Sequence, residues 1–361
     1  MNRSPLSTAG SMCSGYGGLD RAVSTVLGTR LLWVADNDTH ASAVLAHRFP
    51  EVPNLGDLTA VDWATVPAPD VVTAGFPCQP VSSAGRRKGV NDERWLFDDI
   101  ADAIGRMDPR PRLLVLENVP GLLSVNGGHA MARVVSGLAA LGYLGRWRTV
   151  RASDIGAPHQ RARIFIVAWL PEAAAHPSRI GTGEPADAAN PFPASRQARP
   201  VPGRRGLRTA ADPVQVAARR RQELCDLEGT PGADACTAPG RHRHTAPADT
   251  GHPSASAVGP AVQWGRYEPA IRRWEQLTGR PAPCPTEPAS KGGRRLAPAF
   301  SEWLMGLPAG WVTAVPSIGR NGQLRLIGNG VVPQQATAAL LDLLPERLAP
   351  AHAQHREERA S

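Results

Sequence analysis

Short apolar runs alternate with amphipathic stretches through the first 170 residues of the chain. Five runs have the length of buried strands, and several end in a polar or acidic residue. They cover residues 7–13, 30–35, 70–74, 112–117 and 163–169. Helical patterns lie between them at 17–27, 38–48, 92–107 and 128–141. The alternation predicts an α/β fold whose mostly parallel sheet has helices on both faces.

The pattern changes after residue 169. Residues 171–262 contain 13 prolines, a single aromatic residue and few large aliphatic residues. Such a segment buries too little apolar surface to offset its chain entropy, so we predict that it is largely loop or disordered. Aromatic residues return between 264 and 311 and indicate a small second folded unit. A last helix is predicted from Pro333 to about residue 344.

Basic residues exceed acidic residues along the chain. The sequence has 40 Lys+Arg against 32 Asp+Glu, a formal net charge of +8, and nearly all of its basic residues are arginines. Arginine pairs bidentately with phosphate and with guanine edges, so this balance favours a nucleic-acid partner. A high-GC genome would favour the same composition, and we give the two interpretations equal weight.

Cysteine usage and hydropathy indicate the compartment. The five cysteines are an odd number without close pairs, which favours a reducing environment. The sequence shows no apolar leader and no apolar run long enough to span a bilayer. We therefore expect a cytoplasmic protein without a membrane contact.

A cysteine follows the apolar run 70–74, within Gly75-Phe76-Pro77-Cys78-Gln79-Pro80. Prolines on both sides of Cys78 stiffen the loop and limit its movement. The residues that follow, including Ser82, Arg86 and Lys88, make a polar, basic loop that could close over a phosphate backbone. Nearby positive charge favours the nucleophilic thiolate. Taken alone, however, Cys78 would more often be a structural cysteine.

Charged residues mark two more strand ends. Glu117 ends the run 112–117, and Arg161 and Arg163 lead into the last run. Residues two apart on a strand share one face, so we expect the two arginines to point the same way. The commoner interpretation is a capping or solvated residue for Glu117 and a surface ion pair for the arginines. The coincidence of these residues at strand ends favours a site instead, because ligands bind there in α/β sheets.

Together these segments resemble the motifs of the DNA (cytosine-5) methyltransferase family. The Cys78 segment is similar to its Pro-Cys motif, Glu117-Asn118-Val119 to its Glu-Asn-Val motif, and Gln160-Arg161-Ala162-Arg163 to its Gln-Arg-x-Arg motif. The motifs stand in family order, and the resemblance covers residues 7–170 and roughly 294–345. It implies a Rossmann-like S-adenosylmethionine-dependent methyltransferase domain with a mixed, mostly parallel sheet, and a smaller, irregular target-recognition domain.

The resemblance also implies a reaction for these side chains. Addition of the Cys78 thiolate to carbon 6 of cytosine makes carbon 5 able to attack a methyl sulfonium. Glu117 would act as an acid at ring nitrogen 3. Arg163, with Arg161 in support, would hold the carbonyl oxygen of the base and the active-site carboxylate. Because carbon 5 is inaccessible in a stacked duplex, the cytosine must flip out of the helix.

The glycine-containing turn after the first strand resembles the first motif of the family. The segment is Ser11-Met12-Cys13-Ser14-Gly15-Tyr16-Gly17-Gly18, whereas the family often has Asp-Leu-Phe at its first three positions. Cys13 therefore stands where the family places an aromatic residue against the adenine. The N-terminus of the helix that follows suits the methionine carboxylate.

Other residues complete the expected site for S-adenosylmethionine, the cofactor that the resemblance implies. Asp36 matches the acidic residue that holds the ribose hydroxyls, Asp57 the residue near the adenine amino group, and Asn329 belongs to a match to the last motif. The full set of expected contacts is Cys13, Gly15, Tyr16, Gly18, Asp36, Asn37, Asp57, Leu58, Pro77 and Asn329. Apart from the resemblance, Asp36 and Asp57 would pass as ordinary polar residues at strand ends.

The residues expected to contact DNA come from two regions of the sequence. The expected DNA contacts are Gln79, Ser82, Arg86, Lys88, Arg94, Arg266 and Arg294. Arg294 begins a segment that resembles the ninth motif, which scaffolds target recognition in the family. The aromatic and basic residues at 264–274 could read base edges or phosphates, or could form a small core with a solvated face. No metal site is expected, because Cys225, Cys236 and the histidines near them fit no common zinc spacing.

The resemblance divides the chain into parts. We predict a catalytic S-adenosylmethionine-binding domain of residues 1–170 plus 328–347, a target-recognition region of 171–327, and a flexible tail of 348–361. The expected partner of this monomer is double-stranded DNA, and a cognate restriction endonuclease is a possible second partner. Other interpretations are an RNA (tRNA) cytosine-5 methyltransferase and a catalytically inactive DNA-binding homologue. The long gap between the eighth and ninth motifs favours DNA, and the retained Cys78 argues against inactivity.

Overall fold

A six-stranded mixed sheet lies at the centre of the computed structural model, which describes residues 5–77, 95–171, 262–290 and 292–348. The strands are β1 (Thr8–Met12), β2 (Arg30–Ala35), β3 (Val71–Ala74), β4 (Leu113–Asn118), β5 (Leu144–Arg151) and β6 (Ala162–Trp169). Their spatial order is β2-β1-β3-β4-β6-β5. Strands β1 to β4 are parallel, whereas β6 runs antiparallel to both β4 and β5. The predicted mixed, mostly parallel sheet is therefore confirmed.

Helices cover the sheet and continue into the C-terminal part of the chain. The first four are α1 (Gly18–Leu27), α2 (Thr39–Arg48), α3 (Phe97–Arg106) and α4 (His129–Ala140). The others are α5 (Glu268–Thr278), α6 (Pro298–Leu304), α7 (Arg320–Asn329) and α8 (Pro333–Leu343), with a short hairpin of β7 (Thr286–Pro288) and β8 (Arg294–Leu296). Every strand and helix predicted by the apolar pattern has a counterpart among the described residues. The helix predicted over 92–107 begins at Phe97, and residues 92–94 of that prediction lie outside the described residues.

Apolar side chains fill both faces of the sheet. One face packs against α3 and α4 through a cluster that includes Trp33, Phe97 and Ile100. The other packs against α1 and α8, with Val23 and Leu340 in its cluster. Strands β3 and β4 are buried along their whole length. Burial on both faces explains why these strands read as continuous apolar runs rather than as alternating patterns.

Strand β5 is missing from the sequence prediction. It lies at the edge of the sheet, and all of its residues except Val150 are exposed. Its arginines and the exposed Trp147 break the apolar signature of a buried strand. Charged side chains are typical of edge strands, because they oppose pairing with another chain.

Residues 262–348 pack in the same compact unit as residues 5–171. Their core surrounds Trp274 and Trp303 and includes Tyr16 from the connection between β1 and α1. The described part of the predicted target-recognition region therefore shares a hydrophobic core with the predicted catalytic domain. Its role in target recognition stays a prediction, and most of the segment expected to be disordered, residues 172–261, lies outside the described residues.

A buried carboxylate organises the segment after α6. Glu302 is 2% exposed and accepts hydrogen bonds from the backbone nitrogens of Gly310 (2.7 Å), Val312 (2.5 Å) and Thr313 (3.0 Å). The Thr313 hydroxyl donates a further bond of 3.0 Å. Buried backbone N–H groups need acceptors, so Glu302 replaces the partners that a regular helix or sheet would supply.

We expect Glu302→Ala to lower the free energy of unfolding by about 3 kcal/mol, because it leaves buried donors without an acceptor. Denaturant unfolding followed by tryptophan fluorescence measures the change. Glu51→Ala is the matched control, since Glu51 is exposed and should stay within about 0.5 kcal/mol of the parent. An equal effect of both substitutions would contradict the structural role of Glu302.

Candidate functional site

A cleft of about 430 Å³ lies at the carboxyl ends of the parallel strands. The ends of β1, β2, β3 and β4 meet at this edge of the sheet, where side chains from four different strands converge. The lining includes nine of the ten residues expected to bind the cofactor: Cys13, Gly15, Gly18, Asp36, Asn37, Asp57, Leu58, Pro77 and Asn329. Glu117 and Arg163 line the same cleft.

Tyr16 is the exception, because it is not among the residues that line the cleft. Its ring is fully buried among the residues around Trp274 and Trp303, and its hydroxyl donates to the Val331 carbonyl at 2.7 Å. Tyr16 therefore fastens the connection between β1 and α1 to the loop before α8. An aromatic residue between two glycines gives no sign from sequence alone of which way its ring turns.

Backbone hydrogen bonds hold the carboxylate of Asp36 in place. Its Oδ2 accepts from the Gly15 nitrogen at 2.8 Å, and its Oδ1 accepts from the Asp38 nitrogen at 2.9 Å. Burial raises the pKa of Asp36, while these two hydrogen bonds oppose the rise. The result is a fixed acceptor that joins the end of β2 to the glycine turn.

A second acidic group lies nearby. Asp57 accepts from the Thr59 backbone nitrogen at 3.0 Å and from the Thr59 hydroxyl at 2.8 Å, and these bonds lower its pKa. The Asn37 amide donates to its other oxygen at 3.3 Å. Asp36, Asn37 and Asp57 thus form a run of hydrogen-bonding groups along one end of the cleft.

Glycine is required at two positions of the turn after β1. Gly15 has a φ of +57°, in the left-handed region that side chains disfavour. A Cβ on Gly18 would lie 2.4 Å from the Val331 carbonyl oxygen, so only glycine allows the loop before α8 to approach this closely. The turn and that loop therefore meet at the floor of the cleft.

Cys13 also has a positive φ, +50°, and its thiol faces two carboxyl groups. Burial raises the pKa of Cys13 to about 12, with further increases from the negative charges of Asp36 and Asp57. The side chain therefore stays a neutral thiol at physiological pH. It does not compete with a thiolate elsewhere as a nucleophile.

A buried ion pair occupies another part of the cleft. Arg163 Nε lies 2.9 Å from Glu117 Oε1, with the two side chains 16% and 9% exposed. Burial raises the pKa of Glu117, and the positive charges of Arg163 and Arg161 oppose this rise. A carboxyl group whose acid form persists to higher pH can donate a proton or a hydrogen bond to a base.

Arg161 differs from the sequence expectation. It lies before β6 with a φ of +27°, so strand alternation does not set its direction relative to Arg163. Its guanidinium donates to the carbonyls of Gly328, at 2.9 Å, and Gly330. The buried Gln335 in turn donates to the Arg161 carbonyl at 2.8 Å. Arg161 thereby ties the segment before β6 to the end of α7 and to the loop that precedes α8.

The predicted nucleophile and most predicted DNA contacts are not covered by the structure. Cys78, Gln79, Ser82, Arg86, Lys88 and Arg94 lie outside the described residues. Pro77, the last described residue before Cys78 in the sequence, lines the cleft. Arg266 is exposed and bonds to the Tyr267 hydroxyl, whereas Arg294 donates to Thr286 within the β7–β8 hairpin. These two arginines are not among the residues that line the cleft.

Several residues of the cleft were not anticipated from the sequence. Asp20 and Thr73 line it and share a hydrogen bond, and Arg325 lines it while donating to Asp38 at 2.8 Å. Asn118 of the Glu-Asn-Val motif is buried outside the cleft lining, and it donates to the Phe76 carbonyl at 3.4 Å and so ties the end of β4 to the segment after β3. An acidic residue in the first turn of a helix would have been a usable signal for Asp20, but such residues usually complement the helix dipole.

The donor set of the cleft fits S-adenosylmethionine. Five carboxyl groups stand against two arginines among the described lining residues, so the cleft attracts a ligand with a positive sulfonium and an ammonium group. The fixed acceptors Asp36 and Asp57 suit ribose hydroxyls and an adenine amino group. Gly15 has no neighbouring atom within 4 Å of its Cβ position, which leaves room for a ligand beside the turn.

In the part of the chain that the structure describes, no group of three or more His, Cys, Asp or Glu side chains is arranged to hold a metal ion. Across the same residues, none of the helices combines the length and the hydropathy needed to cross a bilayer. Cys225, Cys236 and the nearby histidines lie beyond these residues.

Comparison of the sequence with known proteins gives consistent matches. A family model described as C-5 cytosine-specific DNA methylase matches residues 8–206, more than half of the chain. The Type II methyltransferase M.DsaV of Dactylococcopsis salina is 35% identical over 157 residues, 43% of this chain and 44% of that protein. The Type II methyltransferase M.HhaI of Haemophilus parahaemolyticus is 32% identical over 157 residues, 43% and 47% of the two chains. The matched segments are less than half the length of these relatives.

Solved structures resemble the whole fold. The methyltransferase EhMeth of Entamoeba histolytica aligns with a TM-score of 0.53 at 14% identity, over 93% of this chain and 98% of that chain. The S. pombe Dnmt2 methyltransferase aligns with a TM-score of 0.52 at 15% identity, over 92% and 96%. At these identities the likeness shows the fold alone, and it confirms the predicted Rossmann-like methyltransferase architecture.

Proposed function

The chain belongs to the C-5 cytosine-specific DNA methylase family, and from that premise we propose that it methylates carbon 5 of a flipped cytosine within a specific duplex DNA sequence. The methyl donor of this proposal is S-adenosylmethionine. The observation that carries the proposal is the buried pair of Glu117 and Arg163 inside an acidic cleft at the ends of the parallel strands. This arrangement brings a proton-donating group beside a pocket whose negative charge suits the positively charged S-adenosylmethionine.

Different residues of the chain would bind different parts of S-adenosylmethionine. Asp36 would hold the ribose hydroxyls, Asp57 and Asn37 the adenine edge, and the turn around Gly15 and Gly18 the amino-acid part. When bound, S-adenosylmethionine supplies an electrophilic methyl group on its sulfonium sulphur. The residues Cys13, Leu58, Pro77 and Asn329 complete the proposed contacts.

Catalysis would begin with the thiolate of Cys78, which adds to carbon 6 of the cytosine. Glu117 donates its proton to ring nitrogen 3 and so neutralises the charge that the addition creates. Arg163 holds the carboxyl group and the carbonyl oxygen of the base, and Arg161 supports it through the loop before α8. After carbon 5 has taken the methyl group, water removes the carbon 5 proton, and the electron pair of that bond re-forms the ring double bond and expels the Cys78 thiolate. Ring nitrogen 3 then returns its proton to Glu117. The products are 5-methylcytosine and the demethylated donor.

DNA recognition would involve two separate stretches of the sequence. We assign phosphate and base contacts to Gln79, Ser82, Arg86, Lys88 and Arg94, which follow the nucleophile in sequence, and to Arg266 and Arg294 in the region 171–327. The monomeric state, the cytoplasmic location and a cognate restriction endonuclease stay predictions.

Methylome sequencing tests the proposal. Bisulfite sequencing of DNA from cells that express the chain should show one sequence motif methylated at nearly every occurrence. Purified protein should transfer methyl groups to duplex DNA in preference to tRNA. Unmethylated DNA from cells that contain soluble, folded protein would contradict the proposal, and a preference for tRNA would favour the RNA methyltransferase interpretation.

A further inference from the structure

An acidic side chain lies buried at the N-terminal end of α1. Asp20 is the third residue of this helix, follows the glycine turn and lines the cleft, yet the residue is only 4% exposed. Its Oδ1 accepts a hydrogen bond of 2.5 Å from the Thr73 hydroxyl on β3. One oxygen of the carboxyl group is therefore fixed by the neighbouring strand.

The other oxygen of this carboxyl group is not satisfied. Asp20 Oδ2 has no hydrogen-bond partner among the described residues, although it is shielded from solvent. It lies 3.9 Å from the position that a Cβ on Gly17 would take, and so beneath the glycine turn. Buried polar atoms are nearly always paired, so an orphaned oxygen beside a ligand cleft indicates a missing ligand group.

The position of Asp20 distinguishes it from the other carboxyl groups of the cleft. Asp36 and Asp57 hold the end that suits a nucleoside, and Glu117 is paired with Arg163. Asp20 lies at the glycine turn, where the proposed donor would place its amino-acid part. That part carries an ammonium group, which the positive end of a helix does not favour, so a carboxylate there would supply the missing counter-charge.

We propose that Asp20 binds the ammonium group of S-adenosylmethionine through its unpartnered oxygen. Asp20 would then determine that the cleft recognises the amino-acid part of this ligand. The proposal rests on the proposed function, since it takes S-adenosylmethionine as the ligand. Burial raises the pKa of Asp20, and side-chain hydrogen bonds from Thr73 and Ser11 oppose the rise. A bound cation would further offset the cost of its charge.

Titration calorimetry with two ligands tests this assignment. The ligands are S-adenosylhomocysteine and its desamino analogue, which lacks only the ammonium group. The wild-type protein should bind S-adenosylhomocysteine about tenfold to 100-fold more tightly than the desamino analogue, as expected for a buried charge-assisted hydrogen bond. Asp20→Asn keeps the acceptor for Thr73 but removes the charge. It should lose most of the affinity for S-adenosylhomocysteine and change the affinity for the desamino analogue less than about threefold.

Asp57→Asn is the matched control at the nucleoside end of the cleft. It should lower the affinity for both ligands by the same factor, because the two ligands have the same nucleoside part. Equal losses of both ligands in Asp20→Asn would overturn the assignment and leave Asp20 a structural role. If that variant does not fold, the wild-type comparison decides, since a preference for S-adenosylhomocysteine below about threefold would also overturn it. Failure of wild-type protein to bind S-adenosylhomocysteine at all would instead count against the proposed function.

Discussion

Cys78→Ser is expected to reduce methyl transfer by at least about 10³-fold while duplex DNA binding stays within about threefold of the parent. A serine hydroxyl is much less acidic than a thiol, so it does not form the nucleophile that must add to carbon 6. DNA affinity should change little, because it depends mainly on contacts to phosphates, which the thiol is not expected to make. Single-turnover transfer of a labelled methyl group and a DNA titration by fluorescence anisotropy measure the two quantities.

Cys225→Ser serves as the control for the loss of a thiol, because Cys225 lies in none of the segments that resemble the family motifs. Its turnover should equal that of the parent. Residual wild-type turnover in Cys78→Ser would eliminate Cys78 as the nucleophile. Cys13 is no substitute for it, since its thiol stays protonated at neutral pH.

Glu117→Gln is expected to lower kcat/KM by about 10²-fold to 10⁴-fold, the usual contribution of a general acid. Glutamine keeps the shape of the side chain and an acceptor for Arg163, but it has no proton to donate. The effect should fall mainly on kcat, because the donor and the DNA backbone are held by other residues. Steady-state kinetics with duplex DNA measures both parameters.

The pH dependence gives a second readout for the same residue. Burial raises the pKa of Glu117, so its acid form is present below that pKa and is lost as the pH rises through it. Wild-type kcat/KM should therefore fall on the alkaline side with the titration of Glu117, and the Gln variant should lack this limb. Glu51→Gln, at an exposed position, is the control. An alkaline limb that persists unchanged in Glu117→Gln would assign it to another group.

Buried elements were predictable from the sequence because burial constrains composition. Strands β3 and β4 have apolar side chains on both faces, so their runs stand out. The edge strand β5 gives no such signal, because its residues face solvent. Helix α7 was also missed, since its two glycines and two asparagines have low helix propensity. Packing of Leu326 and Ile327 into the core around Trp303 stabilises it instead.

The candidate site was predictable to the extent that motifs encode it. The motif residues Glu117 and Arg163 meet in one cleft with Asp36 and Asp57, although they come from distant parts of the chain. The direction of Arg161 was not predictable, because its positive φ breaks the alternation assumed for a strand. Asp20 was missed for a different reason, since only the fold shows that one of its carboxyl oxygens is buried without a partner.

The central claim is that a cysteine, a proton-donating carboxyl group and a guanidinium act together on one extruded cytosine. Duplex DNA that contains 5-fluorocytosine tests it directly, because fluorine at carbon 5 does not leave as a proton does and the adduct persists. With donor present, we predict a denaturation-resistant protein–DNA complex whose cross-linked peptide contains Cys78, and which is lost in Cys78→Ser. Attachment at another residue, or no adduct with a protein that methylates ordinary cytosine in the same sequence, would contradict the account.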